Sequence, residues 1–246
     1  MDDTFFICLI TGFFAQLVDG ALGMAYGVTA STLLLAFGIP PAAASAAVHT
    51  AECVTTGISG LSHRAFGNID RMIFLRLLLP GVLGAVSGSV LVSIAPGPIM
   101  KIVVASYLAL MGCVVLGKAF RAIPPRAVST HLAPLGFVGA FLDSSGGGGW
   151  GPIVTSTLLA RGHDPRMTIG SVNAVEFFVA LASSVTFFAL IPEIDLRIVV
   201  GLAVGGGISA PLAAWLCKRV PLKSLMVTVG IIIILLSLTT LVRTLL

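Results

Sequence analysis

The sequence predicts an all-α integral membrane protein, and three observations carry that prediction. Of the 246 residues, 57% are hydrophobic and only 10% are charged, where a soluble domain carries about 25% charged residues. Apolar runs recur that approach the roughly 20 residues a spanning helix needs. Proline and glycine clusters punctuate those runs. Lipid is therefore the expected solvent and the bilayer the first partner. The net charge of +4 and the pI near 9.1 do not point to nucleic acid. The charges are scattered over connections, with no basic stripe and no aromatic platform. They read instead as positively charged cytoplasmic loops.

Four stretches qualify cleanly as spans: 73–94, 98–120, 196–217 and 222–245. Two more, 41–61 and 167–191, qualify despite polar residues. Four shorter pieces remain at 5–18, 21–38, 132–142 and 149–160. Met1-Asp2-Asp3-Thr4 lacks the basic region of a signal peptide, so the run from Phe5 is expected to be a retained membrane segment. Asp19 to Gly23 separates the first two short pieces, and Asp143 to Gly149 the second two. Short apolar pieces broken by glycine predict re-entrant hairpins or discontinuous helices. Pro40-Pro41, Pro96-Gly97-Pro98, Pro124-Pro125 and Pro192 mark the other segment ends. The expected total is about eight membrane segments, within six to ten.

The polar stretch Gly117 to His131 falls at the middle of the chain, and the two halves match across it. Shifting residues 12–52 by 124 positions produces twelve identities without a gap. They include Asp19/Asp143, Gly23/Gly147, Gly27/Gly151, Pro41/Pro165 and Glu52/Glu176, and Tyr26 falls on Trp150 and His49 on Asn173. Paired acids, proline and glycines are hard to produce by chance, so residues 1–122 and 123–246 are expected to be two copies of one unit. Lys and Arg mark cytoplasmic connections. Arg64, Arg71 and Arg76 form one basic group, Lys118, Arg121 and Arg126 another, then Arg161 with Arg166, and Lys218, Arg219 and Lys223. The start, the 95–101 turn and the 192–197 turn are poor in basic residues. With the basic class inside, both termini lie outside and the copies are inverted. Transporters built this way place the substrate near the midplane, where the copies face each other.

Asp19, Asp143, Glu52 and Glu176 lie at membrane depth, where an unpaired charge costs several kcal/mol. They are expected to be protonated, paired or facing a wet cavity. Asp19 and Asp143 precede helical pieces and suit capping. Glu52 and Glu176 sit mid-segment and suit proton handling or gating. His49 lies three residues before Glu52 and can share its helical face. Thr55, Thr56, Ser59, Ser171 and Asn173 extend that polar face. His63, His131 and His163 fall near polar loops, without an expected role. Gly146 to Gly149, with Trp150 and Gly151, exposes bare backbone whose N–H groups can take an anion, with Ser144 and Ser145 as further donors. Close helix packing is the competing use of such glycines. The expected substrate-binding set is Asp19, Gly23, Tyr26, Gly27, His49, Asp143, Ser144, Ser145, Gly147, Gly148, Trp150 and Asn173.

No cofactor and no metal are expected. The glycine run lacks the Gly-Lys-Ser/Thr ending of a Walker loop, and His49 with Glu52 is not an HExxH. Cys8, Cys53, Cys113 and Cys217 form no CxxC and read as small buried hydrophobes. No nucleophile–base–orienter set is visible, so the chain is not read as an enzyme.

The block Gly12 to Gly27 (GFFAQLVDGALGMAYG), followed by PPAAASAAVHTAE ending at Glu52, resembles the TauE/SafE family of sulfite exporters. Gly136 to Gly151 and SVNAVE (171–176) resemble that family's second half. The resemblance implies transport of sulfite, a sulfonate such as sulfoacetate, or a related small sulfur anion across a bacterial inner membrane. With no ATP motif, a proton or other ion is the expected coupling partner. Uptake, or a different small solute, is the alternative within transport.

Overall fold

A computed structural model describes residues 3–22, 24–120, 131–161, 163–191, 194–217 and 222–246. Gly23, Arg121, Arg126, Pro124-Pro125, Pro192, Lys218 and Arg219 lie outside the described residues. Among the described residues every regular element is helical: α1 (Asp3–Leu22), α2 (Tyr26–Ala36), α3 (Pro41–Ala65), α4 (Arg71–Ile94), α5 (Gly97–Lys118), α6 (Leu132–Gly146), a π-helical turn (Gly151–Thr155) running into α7 (Ser156–Ala160), α8 (Pro165–Leu190), α9 (Leu196–Cys217) and α10 (Leu222–Leu245). Arg71–Ile94, Gly97–Lys118, Met167–Leu190 and Met226–Leu245 are long and apolar enough to cross a membrane.

Local chemistry sets the ends. Asp70 caps α4 by accepting from the N–H groups of Met72 and Ile73 at 2.7 and 3.1 Å. Asp164 caps α8 from Met167 N at 2.9 Å, with Pro165 in the first turn. Two expectations are corrected at the breaks. Asp19 and Asp143 do not lie between helices; they stand in the last turns of α1 and α6. At the second break the helix persists until Gly147, whose φ of +72° is open to glycine, and whose N–H caps the Asp143 carbonyl.

Glycine lets four helix pairs approach closely, as small residues do at helix interfaces in lipid. Gly201 lies against Phe5, Gly205 against Leu9 and Phe13, and Gly206 against Gln16, so α1 and α9 run parallel in contact. Gly84 and Gly88 meet Phe137 and Phe141 in the same way, aligning α4 with α6. The other two pairs run antiparallel. On α3 and α8, Thr50 reaches Ser184, Gly57 meets Phe177 and Ser59 meets Asn173. On α5 and α10, Gly112 meets Ile233 and Gly230 meets Leu116.

Outward faces carry large apolar side chains such as Leu79, Ile94, Val185, Phe188 and Leu235, all exposed. This corrects the reading of the cysteines. Only Cys8 is buried among those described, while Cys53 is half-buried and Cys113 exposed. In a membrane protein an apolar residue can face lipid, so hydrophobicity does not imply an interior place.

Candidate functional site

The two glycine-rich breaks meet. A Cβ on Gly27 would lie 2.8 Å from both Gly147 O and Gly148 Cα. Hydroxyls stitch the crossing: Ser31 donates to Gly147 O, Tyr107 to Gly148 O at 2.7 Å and Ser45 to Ser144 O at 2.7 Å. Each break uses its acid in the same way. Asp19 Oδ1 accepts from Tyr26 N at 3.2 Å, and Asp143 Oδ1 accepts from Trp150 N at 3.0 Å. Both bonds span seven residues and cap the helical piece that follows the break. Ala25, at the first break, holds a φ of 107°, a strained choice for a residue with a Cβ.

Beside this crossing lies a cavity of about 330 Å³. All four acids line it: Asp19 from α1, Glu52 from α3, Asp143 from α6 and Glu176 from α8. Tyr26, Gly27, Asn173, Thr55, Thr56 and Ser59 also line it, as do Gln16, Met24, Ile169 and His63. No Lys or Arg is among the lining residues. The Tyr26 hydroxyl is buried without a hydrogen-bond partner among the described residues. Asn173 Nδ2 donates to Ser59 Oγ at 3.0 Å.

Other expected residues stand behind the wall rather than on it. His49, Ser144, Ser145, Gly147, Gly148 and Trp150 do not line the cavity. Ser144 Oγ bonds Ser183 Oγ at 2.6 Å, and Trp150 Nε1 donates to Val172 O at 3.2 Å. The N–H groups of Gly147 and Gly148, expected to be open to an anion, are both taken by the Asp143 carbonyl at 2.7 and 3.0 Å. The N–H of Trp150 is taken by the Asp143 carboxylate, so the chain supplies its own anion there. His49 joins α3 to α6: its Nε2 lies 3.1 Å from Asp143 Oδ2, and its Nδ1 2.8 Å from Ser45 O.

Sequence reading gave His63 no role and did not single out Tyr107, Ser45 or Gln16. Tyr107 carried a usable signal: it is one of two tyrosines in the chain and stands within an apolar span. The others look like ordinary polar residues until the fold places them.

The sulfite exporter TauE/SafE family model matches residues 8–240. A Bacillus subtilis (strain 168) protein described as "Probable membrane transporter protein YtnM" is 42% identical over 242 residues, spanning 94% of this chain and 81% of that protein. No solved structure matches. A family match over nearly the whole chain, around a polar cavity walled by membrane helices, places this protein in the TauE/SafE family of membrane transporters.

Proposed function

We propose that the chain is a secondary transporter that carries a small sulfur-containing anion, sulfite or an organosulfonate, together with a proton, across a bacterial inner membrane. The cavity wall carries this reading. Four carboxyls face one small space without a fixed cation. Two like charges in such a site repel strongly, so an anion enters only when protons neutralise the wall. Uncharged donors on Tyr26, Thr55, Thr56, Ser59 and Gln16 can then bind the anion's oxygens. A proton that offsets one negative charge cancels the electrical work, so flux follows the product of the solute and proton gradients. A cell that makes sulfite internally would thus export it once the outward sulfite gradient exceeds the inward proton gradient.

Two inverted copies, 1–122 and 123–246, frame the cavity in this reading. The repeat offset carries α1 onto α6, α2 onto the π-turn and α7, α3 onto α8, α4 onto α9 and α5 onto α10. It also carries the α1–α9 pair onto α6–α4, and the α3–α8 and α5–α10 pairs onto themselves. Mates that pack antiparallel cross the bilayer in opposite directions, as inversion requires. The cavity is lined toward the C-terminal end of α3 and the N-terminal end of α8, by His63 and Ile169. With the basic connections inside, it faces the cytoplasm. Single cysteines at Ser62 and Ser224 should then react only with reagent on the cytoplasmic side, and one at Asp3 only from outside. Reaction of Asp3 and Ser224 positions from the same side would sink the inverted arrangement.

A second reading has support from the same wall. Acids without a cation also suit a solute bearing an amine, such as taurine. Thermal stabilisation in detergent separates the two, using sulfite, sulfate, thiosulfate, sulfoacetate and taurine at acid and neutral pH. The proton-coupled anion reading expects sulfite or sulfoacetate to stabilise, and more at acid pH. Taurine acting alone, best at neutral pH, would replace it. Flux of chemically unchanged solute into proteoliposomes excludes an enzyme. Tyr26→Phe removes the free hydroxyl and should weaken binding of the stabilising solute by about 1 kcal/mol, roughly fivefold. Unchanged affinity would remove Tyr26 from the site.

A further inference from the structure

The side of the cavity away from His63 and Ile169 is closed by a contact whose chemistry counts protons. His49 is fully buried on α3, and Asp143 stands between it and the cavity. His49 Nδ1 lies 2.8 Å from Ser45 O, a carbonyl that can only accept, so Nδ1 carries a hydrogen. The Ser45 hydroxyl, 3.3 Å from the same nitrogen, does not offer an alternative, because it donates to Ser144 O. A neutral imidazole has one N–H, which leaves Nε2 as a bare lone pair. Yet Nε2 faces Asp143 Oδ2 at 3.1 Å. A lone pair against a carboxylate oxygen is repulsive. The pair is therefore bound only with one added proton, as imidazolium with carboxylate or imidazole with carboxylic acid. Trp150 N holds the other carboxyl oxygen, so that proton belongs to the Nε2–Oδ2 line.

Among the described residues no Lys or Arg is bonded to the pair: Lys118 on α5 donates its Nζ to the backbone oxygen of cavity-lining Pro152 at 2.9 Å and to Ser156 Oγ. Glu52 on α3 completes a cluster with the pair, with donor atoms within 4.8 Å of one another. Glu176 on α8, Asp19 on α1 and Tyr26 on α2 line the adjoining cavity, as does His63 on α3. Tyr107 on α5 is bonded to Gly148 O. Arg71 and Arg76 on α4 and Arg197 on α9 are exposed in the first turns of their helices.

The repeat adds an asymmetry. The counterparts of His49 and Asp143 are Asn173 and Asp19. They are not bonded to each other in this state; Asn173 reaches Ser59, and Asp19 holds Tyr26 N. An amide can donate to a carboxylate without taking up a proton.

We propose that His49 and Asp143 form a one-proton latch that closes this side of the cavity, and that Asn173 and Asp19 close the opposite side without a proton when the transporter changes state. Loss of the shared proton to water leaves the Nε2 lone pair against the carboxylate. The pair separates, and α3 releases the second break. Acid thus favours the state described, and alkali opens the latched side. This rests on the transporter reading and deepens it, but its test needs no solute, so the two fail separately.

The reporter is a cysteine at Ala44, which is buried on α3 beyond His49 from the cavity, in a background whose native cysteines are replaced. Its reaction with a water-soluble thiol reagent is followed from about pH 5.5 to about pH 8.5, a range that brackets imidazole titration. An exposed cysteine at Gly97 corrects for thiol ionisation. With His49 and Asp143 intact, the corrected rate should rise several-fold with pH. His49→Gln and Asp143→Asn each supply an amide N–H between the partners at every pH, so both should give a low, flat rate. His49→Ala has no latch and should give a high, flat rate. If His49→Ala does not fold, the two amide variants still decide. A flat rate in the parent, or a parent-like rise in either amide variant, overturns the proposal.

Discussion

Gly148→Val should abolish accumulation of folded, transport-competent protein. A Cβ at this position would collide with Val28 N and the Gly27 carbonyl carbon, and lie 2.7 Å from Val28 Cα. All three are backbone atoms of the opposing break, held in turn by the Ser31 and Tyr107 hydrogen bonds to Gly147 and Gly148. Overpacking costs about 1–3 kcal/mol where side chains can move aside. Here nothing flexible can yield, so the two breaks must separate, and backbone groups at membrane depth lose their partners. Gly207→Ala is the matched control, since a Cβ there meets nothing within 4 Å. The control should leave the size-exclusion profile and melting temperature unchanged. A Gly148→Val protein that melts like the parent would mean that the breaks do not cross in contact.

The second large effect is expected at Glu52. It lines the cavity beside Asp143 and reaches toward Gly27, with its Oε1 3.3 Å from where a Cβ on Gly27 would sit. Glu52→Gln keeps the shape and removes the charge. Sulfite should then bind at neutral pH as it binds the parent at acid pH, a change of about tenfold or more, and the pH dependence of binding should flatten. Glu176→Gln should retain a pH-dependent component with altered affinity, because Glu52 remains to titrate. A Glu52→Gln protein with the parent's pH profile would reduce Glu52 to a hydrogen-bonded structural acid. The latch proposed at His49 is a separate matter: its test reads which side is open, whereas the Glu52 variant reads whether the anion is tolerated.

Membrane class and segment order were legible because each rests on a long signal. Runs of about 20 apolar residues have few alternatives in water or lipid. The four acids were legible for a different reason: charge at membrane depth is costly enough to mark function wherever it occurs. The pairing of Asp19 with Asp143 also foretold that both would serve their breaks in one geometry, as the two seven-residue bonds do. Contacts between segments far apart in the chain were not legible. His49 and Asp143 lie 94 positions apart, and nothing local says that the His49 ring turns to that acid. The glycine amides misled because spacing shows where N–H groups are exposed, not whether the chain's own carbonyl and carboxylate already occupy them. The end of α6 lies past Asp143 because the Gly147 N–H still bonds the Asp143 carbonyl, a backbone contact that residue spacing does not reveal.

The claim that the acid-lined cavity is the transport site is tested most directly by an experimental structure with sulfite bound at acid pH. The anion is expected inside the cavity, within hydrogen-bond reach of Tyr26 or the Thr55–Ser59 face and beside Glu52 or Glu176. Sulfite found elsewhere, farther than about one helix diameter, ~10 Å, from Tyr26, Glu52, Asp143 and Glu176 together, would contradict it.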